Sequence, residues 1–253
     1  MKIRTYLYYL VDLDRTIWDF DRNSEHAISL LVSMDSRLNE AVIAVEGHPL
    51  DEALHRFFLK YDIINLNLWA EYERGTMTKE DLRWRRFYDA FKLYGIDDRS
   101  LARRFGNDYL DQMVEESSLM PGAREMLETI RKSGSKTAIV SNGFKEVQYR
   151  KLRKAGIEDY FDAVIVSEEA GCLKPSPGIF AYALRKLSGI HPKLQQEEWK
   201  KAKNETLMIG DDLANDIEGA QVFGIDQFYY NHKHLDIISG ATYEYDTLEP
   251  LIR

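Results

Sequence analysis

Short apolar runs alternate with helical stretches in the second half of the chain, and this alternation limits the possible folds more than any other feature. The runs are rich in β-branched and aliphatic residues, as expected of strands buried on both faces of a sheet. They lie at Thr137–Val140, Ala163–Val166 and Thr206–Ile209, and a similar run lies at Tyr6–Val11. Strands that alternate with helices form a parallel, doubly wound sheet. We therefore predict an α/β fold.

A long segment after the first run lacks this alternation. Residues 17–118 show helical periodicity with few strand signals, which predicts a helical domain inserted after the first strand. Residues 1–16 and 119–253 would then form the sheet domain. Residues 188–204 are rich in charged and amide side chains, and we expect them to form a solvated surface segment without a chemical role.

Polar residues follow each predicted strand at the point where the apolar run stops. In open α/β sheets the ligand crevice lies outside the carboxyl ends of the strands, so these residues are expected to face one site. One such residue would carry little information, but four groups in order indicate a site. They are Asp12, Asp14 and Thr16 after the first strand, Ser141 and Asn142 after the second, then Lys174, and finally Asp211 and Asp216.

The carboxylates of this set indicate a cation. Asp12 and Asp14 are two residues apart on an extended backbone and can point the same way, and Asp211 adds a third carboxylate. Neighbouring carboxylates repel unless a cation or a shared proton lies between them. An all-oxygen set without histidine or cysteine nearby in sequence suits Mg²⁺. The alternative is that Asp211 or Asp212 caps a following helix, which leaves the first two carboxylates unexplained.

The other residues of the set are suited to an anion. Lys174 precedes Pro175, which favours an extended backbone, and its ammonium can neutralise a nucleophile and a phosphoryl group. Ser141 and Asn142 offer a hydroxyl and an amide, and Gly143 permits a close approach to the backbone. Taken alone, this Ser-Asn-Gly segment is more typical of an ordinary turn.

Charge and composition narrow the classes of partner. The formal net charge of −8 disfavours the binding of a nucleic acid polymer. The binding of a small phosphate ester is compatible with this charge, because a bound cation can make the local field positive. The single cysteine, Cys172, excludes an intramolecular disulfide and fits a reducing compartment. No segment reaches the roughly 20 apolar residues that span a bilayer, and Tyr6–Val11 is not followed by the cleavage site of a secretory signal. We expect a cytoplasmic protein without a membrane partner, and its oligomeric state is not indicated.

These motifs resemble those of the haloacid dehalogenase-like hydrolases. The run from Asp12 to Thr16 resembles motif I of that family, D-x-D-x-T, with Arg15 where many members have glycine. The later motifs are matched by Ser141 (motif II), Lys174 (motif III), and Gly210-Asp211-Asp212 with Asp216 (motif IV). The resemblance implies a Rossmann-like core with a helical cap inserted after the first strand.

The same resemblance implies a mechanism. Asp12 would attack phosphorus and form an aspartyl-phosphate, and Asp14 would protonate the leaving oxygen and then activate water. Mg²⁺ would be bound by Asp12, Asp211 and the backbone carbonyl of Asp14. Asp216 would support these ligands through water or hydrogen bonds. The catalytic set would be completed by Thr16, Ser141, Asn142 and Lys174.

Residues of the insertion narrow the resemblance to the pyrimidine 5′-nucleotidases. This implies hydrolysis of nucleoside 5′-monophosphates such as dUMP, dTMP or modified pyrimidine nucleotides. The insertion is large enough to close over the carboxyl edge of the sheet, and Arg86 is its expected substrate contact, although a salt bridge within the bundle explains Arg86 as well. The matching positions are Asn65, Leu68, Trp69, Tyr72, Gly75, Lys79, Arg86 and Phe87, with Asn142, Gly143, Phe144, Gln148, Ser167, Glu168, Glu169 and Gly171 in the core.

Other activities of the same fold stay open. A phosphatase of small sugar or organic-acid phosphates would share the core residues, as would a phosphomutase. A 2-haloacid dehalogenase would direct Asp12 at carbon and would need neither Asp14 nor Mg²⁺, and a binding module would need none of these groups. The preferred hypothesis is a magnesium-dependent phosphoric monoester hydrolase, a 5′-nucleotidase, whose partner is a small phosphorylated substrate.

Overall fold

The computed structural model describes residues 3–252, in which six parallel strands form one sheet. The strand order is β3-β2-β1-β4-β5-β6, so β1 lies between β2 and β4, with Leu10 level with Ala138 and Met208. The α/β fold with a parallel Rossmann-like core is thus confirmed. The strands are β1 Tyr8–Val11, β2 Lys136–Ser141, β3 Ala163–Val166, β4 Thr206–Gly210, β5 Asp226–Tyr230 and β6 Tyr243–Tyr245.

Helices lie in each connection from β1 to β5, whereas the connection from β5 to β6 is irregular. No helix among residues 3–252 is long and apolar enough to cross a bilayer. Those between β1 and β2 are α1 Phe20–Met34, α2 Ser36–Glu46, α3 Leu50–Glu73, α4 Lys79–Lys92, α5 Arg99–Met113 and α6 Ala123–Lys132. Those after β2 are α7 Lys145–Lys154, α8 Ser167–Ala170, α9 Pro177–Ser188, α10 Gln196–Asn204 and α11 Gly219–Phe223. Short 3-10 turns lie at Glu158–Tyr160 and Glu249–Leu251, and a π-helical turn lies at Leu213–Glu218.

The chain divides into two compact units. One is formed by the chain up to Phe20 and from Ser117 onward, and the other by Asp21–Glu116, which we call the helical insertion. The interior of the insertion is aromatic, with the Phe87 ring stacked on Tyr61 at a centroid distance of 4.9 Å. Stacked aromatic pairs add to the stability that apolar burial provides.

The two segments that lead into and out of the insertion run side by side. The Asp19 N–H donates to the Ser118 carbonyl oxygen at 3.0 Å, and the Met120 N–H donates to the Ile17 carbonyl oxygen at 2.8 Å. Backbone groups make both bonds, so no side chain supplies their donors or acceptors.

Two features of the sheet unit differ from the sequence-based predictions. Residues 188–204 are not merely a solvated segment, because α10 places Trp199 and Ala202 one turn apart against the apolar core. The sheet also extends beyond the four predicted strands through β5 and β6. Both are short, and β5 begins with the polar pair Asp226-Gln227, so neither shows the continuous aliphatic run of a central strand.

Arg15 has a backbone conformation that favours glycine. Its φ is +66°, in the left-handed region, and its N–H donates to the Trp18 carbonyl oxygen at 2.8 Å, closing a tight turn after β1. The guanidinium lies 4.6 Å from the centroid of the Phe20 ring. This geometry accounts for the glycine that many members of the resembled family carry at this position.

We predict that Arg15 tolerates glycine but not valine. Glycine relieves about 1–2 kcal/mol of left-handed strain. It loses a cation–π contact of about 0.5–1 kcal/mol, and its freedom in the unfolded chain costs about 0.5–1 kcal/mol. Arg15→Gly should therefore leave the unfolding free energy nearly unchanged, whereas the β-branched Arg15→Val should lower it by at least about 1 kcal/mol. Urea unfolding of both variants checks the order, and equal stability would contradict it.

Candidate active site

The predicted site residues meet at the carboxyl ends of the central strands. Asp12 follows β1, Ser141 ends β2, and Asp211 follows β4. Lys174 comes from the segment between α8 and α9. The parallel register places the ends of β1, β2 and β4 at one edge of the sheet, where residues distant in sequence become neighbours.

A buried lysine joins two of the aspartates. The Lys174 Nζ donates to Asp12 Oδ1 at 2.5 Å and to Asp216 Oδ1 at 2.7 Å, and only 3% of Lys174 is exposed. Burial by itself lowers the pKa of Lys174, but the two carboxylates outweigh it and raise that pKa above its usual value. The lysine therefore stays charged.

The aspartates remain under-neutralised by this one ammonium. Burial and the neighbouring Asp211 carboxylate raise the pKa of Asp12 to about 7, against the lowering effect of Lys174. Burial likewise raises the pKa of Asp216 well above its usual value. Lys174 bonds to two of the three carboxylates, so ionisation of all three would leave an excess of negative charge.

Three carboxylates at this edge fit a hard cation. Oxygen atoms of Asp12, Asp211 and Asp216 lie within 4.8 Å of one another, and Thr16 Oγ1 donates to Asp211 Oδ1 at 3.1 Å. Gly210 makes room for this cluster, because a Cβ there would lie 2.2 Å from Asp216 Oδ2. An all-oxygen donor set with unbalanced negative charge matches the preference of Mg²⁺.

The Asp14 side chain has different partners from those of Asp12. Its Oδ2 accepts a hydrogen bond from Gln148 Nε2 at 2.8 Å, and its Oδ1 accepts one from Lys151 Nζ at 2.6 Å. Both donors lie on α7. The carboxylate of Asp14 is therefore directed at α7, and its predicted role as a metal ligand rests on its backbone carbonyl alone.

Ser141 and Asn142 have distinct surroundings. The Ser141 Oγ accepts hydrogen bonds from the Gly143 N–H at 3.0 Å and from Gln148 Nε2 at 2.8 Å. The Asn142 amide donates to the Lys174 carbonyl oxygen at 3.0 Å, and its Oδ1 accepts from the Lys174 N–H at 2.8 Å. The amide predicted to bind an anion thus holds the backbone that carries the lysine.

The capping alternative holds for one aspartate of motif IV. Asp212 is exposed, and its Oδ1 accepts from the Asn215 N–H at 2.9 Å at the start of the π-helical turn. Asp211 instead joins the acidic cluster. The two adjacent aspartates therefore differ in role, one structural and one facing the site.

Sequence reasoning missed two side chains near the site. Lys151 was not considered, although Gln148 and Lys151 share the buried face of α7 with Val147 and Leu152, where polar residues are unusual. His232 lies in the turn after β5, where no sequence motif points to a role, and its Nε2 lies 3.8 Å from Asp211 Oδ2.

Arg86 lies in the interior of the helical insertion. Its Nη1 donates to Asn65 Oδ1 at 3.1 Å, and its guanidinium lies 5.0 Å from the centroid of Tyr109. Among residues 3–252 it forms no salt bridge, so the expected ion pair within the bundle is not present. Its Nε and Nη2 atoms are buried without a hydrogen-bond partner.

Comparison with known proteins assigns the chain to a family. The model of the haloacid dehalogenase-like hydrolases matches residues 8–224. The pyrimidine 5′-nucleotidase YjjG of Escherichia coli is 30% identical over 72% of this chain and 74% of its own length. The pyrimidine 5′-nucleotidase PynA of Streptococcus pneumoniae is 27% identical over 98% of this chain and 94% of its own length.

A solved structure agrees with this assignment. The Bacillus subtilis protein YfnB, crystallised bound to magnesium, superposes with a TM-score of 0.77 at 28% identity, covering 98% of this chain and 97% of that chain. The resemblance inferred from the four motifs is thereby confirmed. This chain belongs to the haloacid dehalogenase-like hydrolases.

Proposed function

We propose that this protein is a phosphatase that hydrolyses nucleoside 5′-monophosphates through an aspartyl-phosphate. The observation that carries the proposal is the buried Lys174 ammonium, held against Asp12 at the carboxyl edge of the sheet. A carboxylate nucleophile that attacks a phosphate dianion needs a fixed positive charge beside both groups. Lys174 provides that charge where Asp12 leaves the sheet.

The first half-reaction uses Asp12 and Asp14. An Asp12 carboxylate oxygen attacks phosphorus while the bond from phosphorus to the ester oxygen breaks, and the carboxyl proton of Asp14 goes to the leaving oxygen. The Ser141 hydroxyl accepts two hydrogen bonds, so its own proton is left to donate to a phosphoryl oxygen. Asp12 then carries the phosphoryl group as an acyl phosphate.

The second half-reaction restores the enzyme. Asp14, now a carboxylate, takes a proton from water as the water oxygen attacks phosphorus, which breaks the acyl phosphate bond and releases inorganic phosphate. Lys174 neutralises the Asp12 carboxylate as it leaves. Asn142 keeps Lys174 in place through its two hydrogen bonds to the lysine backbone.

The acidic cluster supports a requirement for Mg²⁺. Asp12, Asp211 and the Asp14 carbonyl would hold the ion. Asp216, which accepts hydrogen bonds from Lys174 and from the Asp212 N–H, would help to orient these ligands. When bound, Mg²⁺ would neutralise the phosphoryl oxygens and the excess carboxylate charge.

The choice of leaving group is assigned to the helical insertion. The core residues described above act on the phosphoryl group and the ester oxygen, which a nucleotide and a sugar phosphate share, so they do not distinguish a nucleoside from a sugar. The pyrimidine nucleotidases YjjG and PynA support a pyrimidine nucleotide as substrate. Arg86 also supports it, because its Nε and Nη2 have no protein acceptor and could bind a base carbonyl oxygen.

We predict that Asp12→Asn abolishes turnover without unfolding the protein. The amide keeps the shape of the carboxylate but is a poor nucleophile, so kcat should fall by about 10³-fold or more. Asp212→Asn is the matched control, since it changes an exposed neighbouring acid and asparagine also caps helices. Phosphate release and circular dichroism of both variants decide the matter. Substantial activity of Asp12→Asn, with deamidation excluded, would contradict the assignment.

A second prediction concerns metal and pH. The pKa of Asp12 rises from 3.8 to about 7 on folding, so the proton it holds stabilises the metal-free fold at low pH, and this stabilisation is lost as pH rises through about 7. Mg²⁺ needs the carboxylate instead. Adding Mg²⁺ should therefore raise Tm more at about pH 8 than at about pH 5.5. The Asp211→Asn variant should lose most of the increase, and chelation should stop phosphate release. An equal increase at both pH values would count against this site.

A third prediction concerns substrate choice. A pyrimidine nucleoside 5′-monophosphate should have a kcat/KM at least about tenfold above those of glycolate phosphate and hexose phosphates under identical Mg²⁺ conditions. Arg86→Lys should lower kcat/KM for the nucleotide and leave that for glycolate phosphate nearly unchanged. A clear preference for sugar phosphates would retain the phosphatase mechanism and reject the nucleotidase assignment.

A further inference from the structure

Two buried side chains of α7 hold the carboxylate of Asp14. Gln148 and Lys151 are 1% and 2% exposed, and they lie three residues apart on one helix face. Each donates to a different oxygen of Asp14, at 2.8 and 2.6 Å. We call this pair the α7 clamp.

The α7 clamp also reaches the end of β2. The Gln148 amide donates its second hydrogen to Ser141 Oγ at 2.8 Å, so one side chain connects Asp14 with Ser141. The Ser141 hydroxyl thereby fills both of its acceptor positions, since the Gly143 N–H takes the other. The orientation of two groups from different strands thus depends on one amide.

The local sequence accommodates this geometry. A Cβ on Gly143 would lie 1.9 Å from Gln148 Nε2, so the amide occupies space that any other residue at 143 would fill. The Lys151 ammonium lies 4.2 Å from the centroid of the Trp18 ring and 5.4 Å from that of Phe20. A lysine buried among aromatic rings loses its hydration, and the Asp14 oxygen takes the place of water as the acceptor of its hydrogen bond.

We propose that Gln148 and Lys151 are positioning residues that fix the Asp14 carboxyl and the Ser141 hydroxyl for proton transfer and phosphoryl binding. The inference rests on the proposed function, in which Asp14 gives its proton to the leaving oxygen. The clamp uses one acceptor position on each Asp14 oxygen and leaves the others for the leaving group and for water. If Asp14 adopted another side-chain rotamer, its carboxyl group would reach neither the leaving group nor the water.

The test compares leaving groups that differ in their need for a proton. p-Nitrophenolate leaves without protonation, whereas the 5′-oxygen of a nucleoside leaves as an alcohol. In a two-step phosphatase, kcat/KM reports the first half-reaction, in which the leaving group departs. For Lys151→Met and Gln148→Met we expect kcat/KM to fall by about 10²-fold with a nucleoside 5′-monophosphate and by much less with p-nitrophenyl phosphate.

Two further variants separate positioning from folding. The nearest atoms that the Cβ of Gly143→Ala would meet belong to the flexible Gln148 side chain, so this variant should displace the amide, keep the fold and show the same leaving-group effect. Lys154→Met changes an exposed lysine of the same helix and should leave both substrates unaffected. Circular dichroism and Tm identify any variant that fails to fold.

A double-mutant comparison connects the effect to Asp14. In an Asp14→Asn background, Lys151→Met should change the ratio of the two kcat/KM values no further. If Asp14→Asn itself leaves that ratio unchanged, the proposed role of Asp14 fails. If Asp14→Asn shifts the ratio while Gly143→Ala, Gln148→Met and Lys151→Met do not, the α7 clamp is overturned and the proposed function stands.

Discussion

The buried ammonium of Lys174 is the interaction on which the rest of the site depends. It is bonded to Asp12 after β1 and to Asp216 in the turn after β4, so it connects three segments that are remote in sequence. A lysine at this depth is stable only because two carboxylates surround it, and those carboxylates are tolerable only because the lysine is there. The same arrangement groups more carboxylates than ammonium groups, which suits the binding of a cation.

Small residues and backbone groups carry much of the support for this charge cluster. Gly210 lacks the side chain that would collide with Asp216, and the Asp212 N–H donates to Asp216 at 3.1 Å. Asn142 holds the lysine segment from the end of β2. The central strands are buried and apolar, so polar side chains concentrate where these strands end. The residues that support the charge cluster therefore lie at the same edge of the sheet as the cluster itself.

The sequence was most informative where covalent spacing determines geometry. Asp12 and Asp14 directly follow a strand, and each central strand can be recognised in the sequence from its own aliphatic run. The partners of Asp14 could not be predicted in this way, because Gln148 and Lys151 are more than a hundred residues distant and meet it only once β1 and β2 pair. The role of Asn142 was obscured for a similar reason, since an amide at a strand end can serve a ligand or a neighbouring backbone.

The paired segments around Asp19 and Ser118 have a consequence for how such enzymes diversify. The segments of the sheet unit that flank the insertion are hydrogen-bonded to each other, so the ninety-odd residues between them form a closed loop. The pairing uses main-chain atoms, so it places no demand on the sequence between them. Whole insertions can then be exchanged between relatives by recombination or by design at these two junctions. The same chemistry would in this way act on other substrates without changes at the carboxyl edge of the sheet.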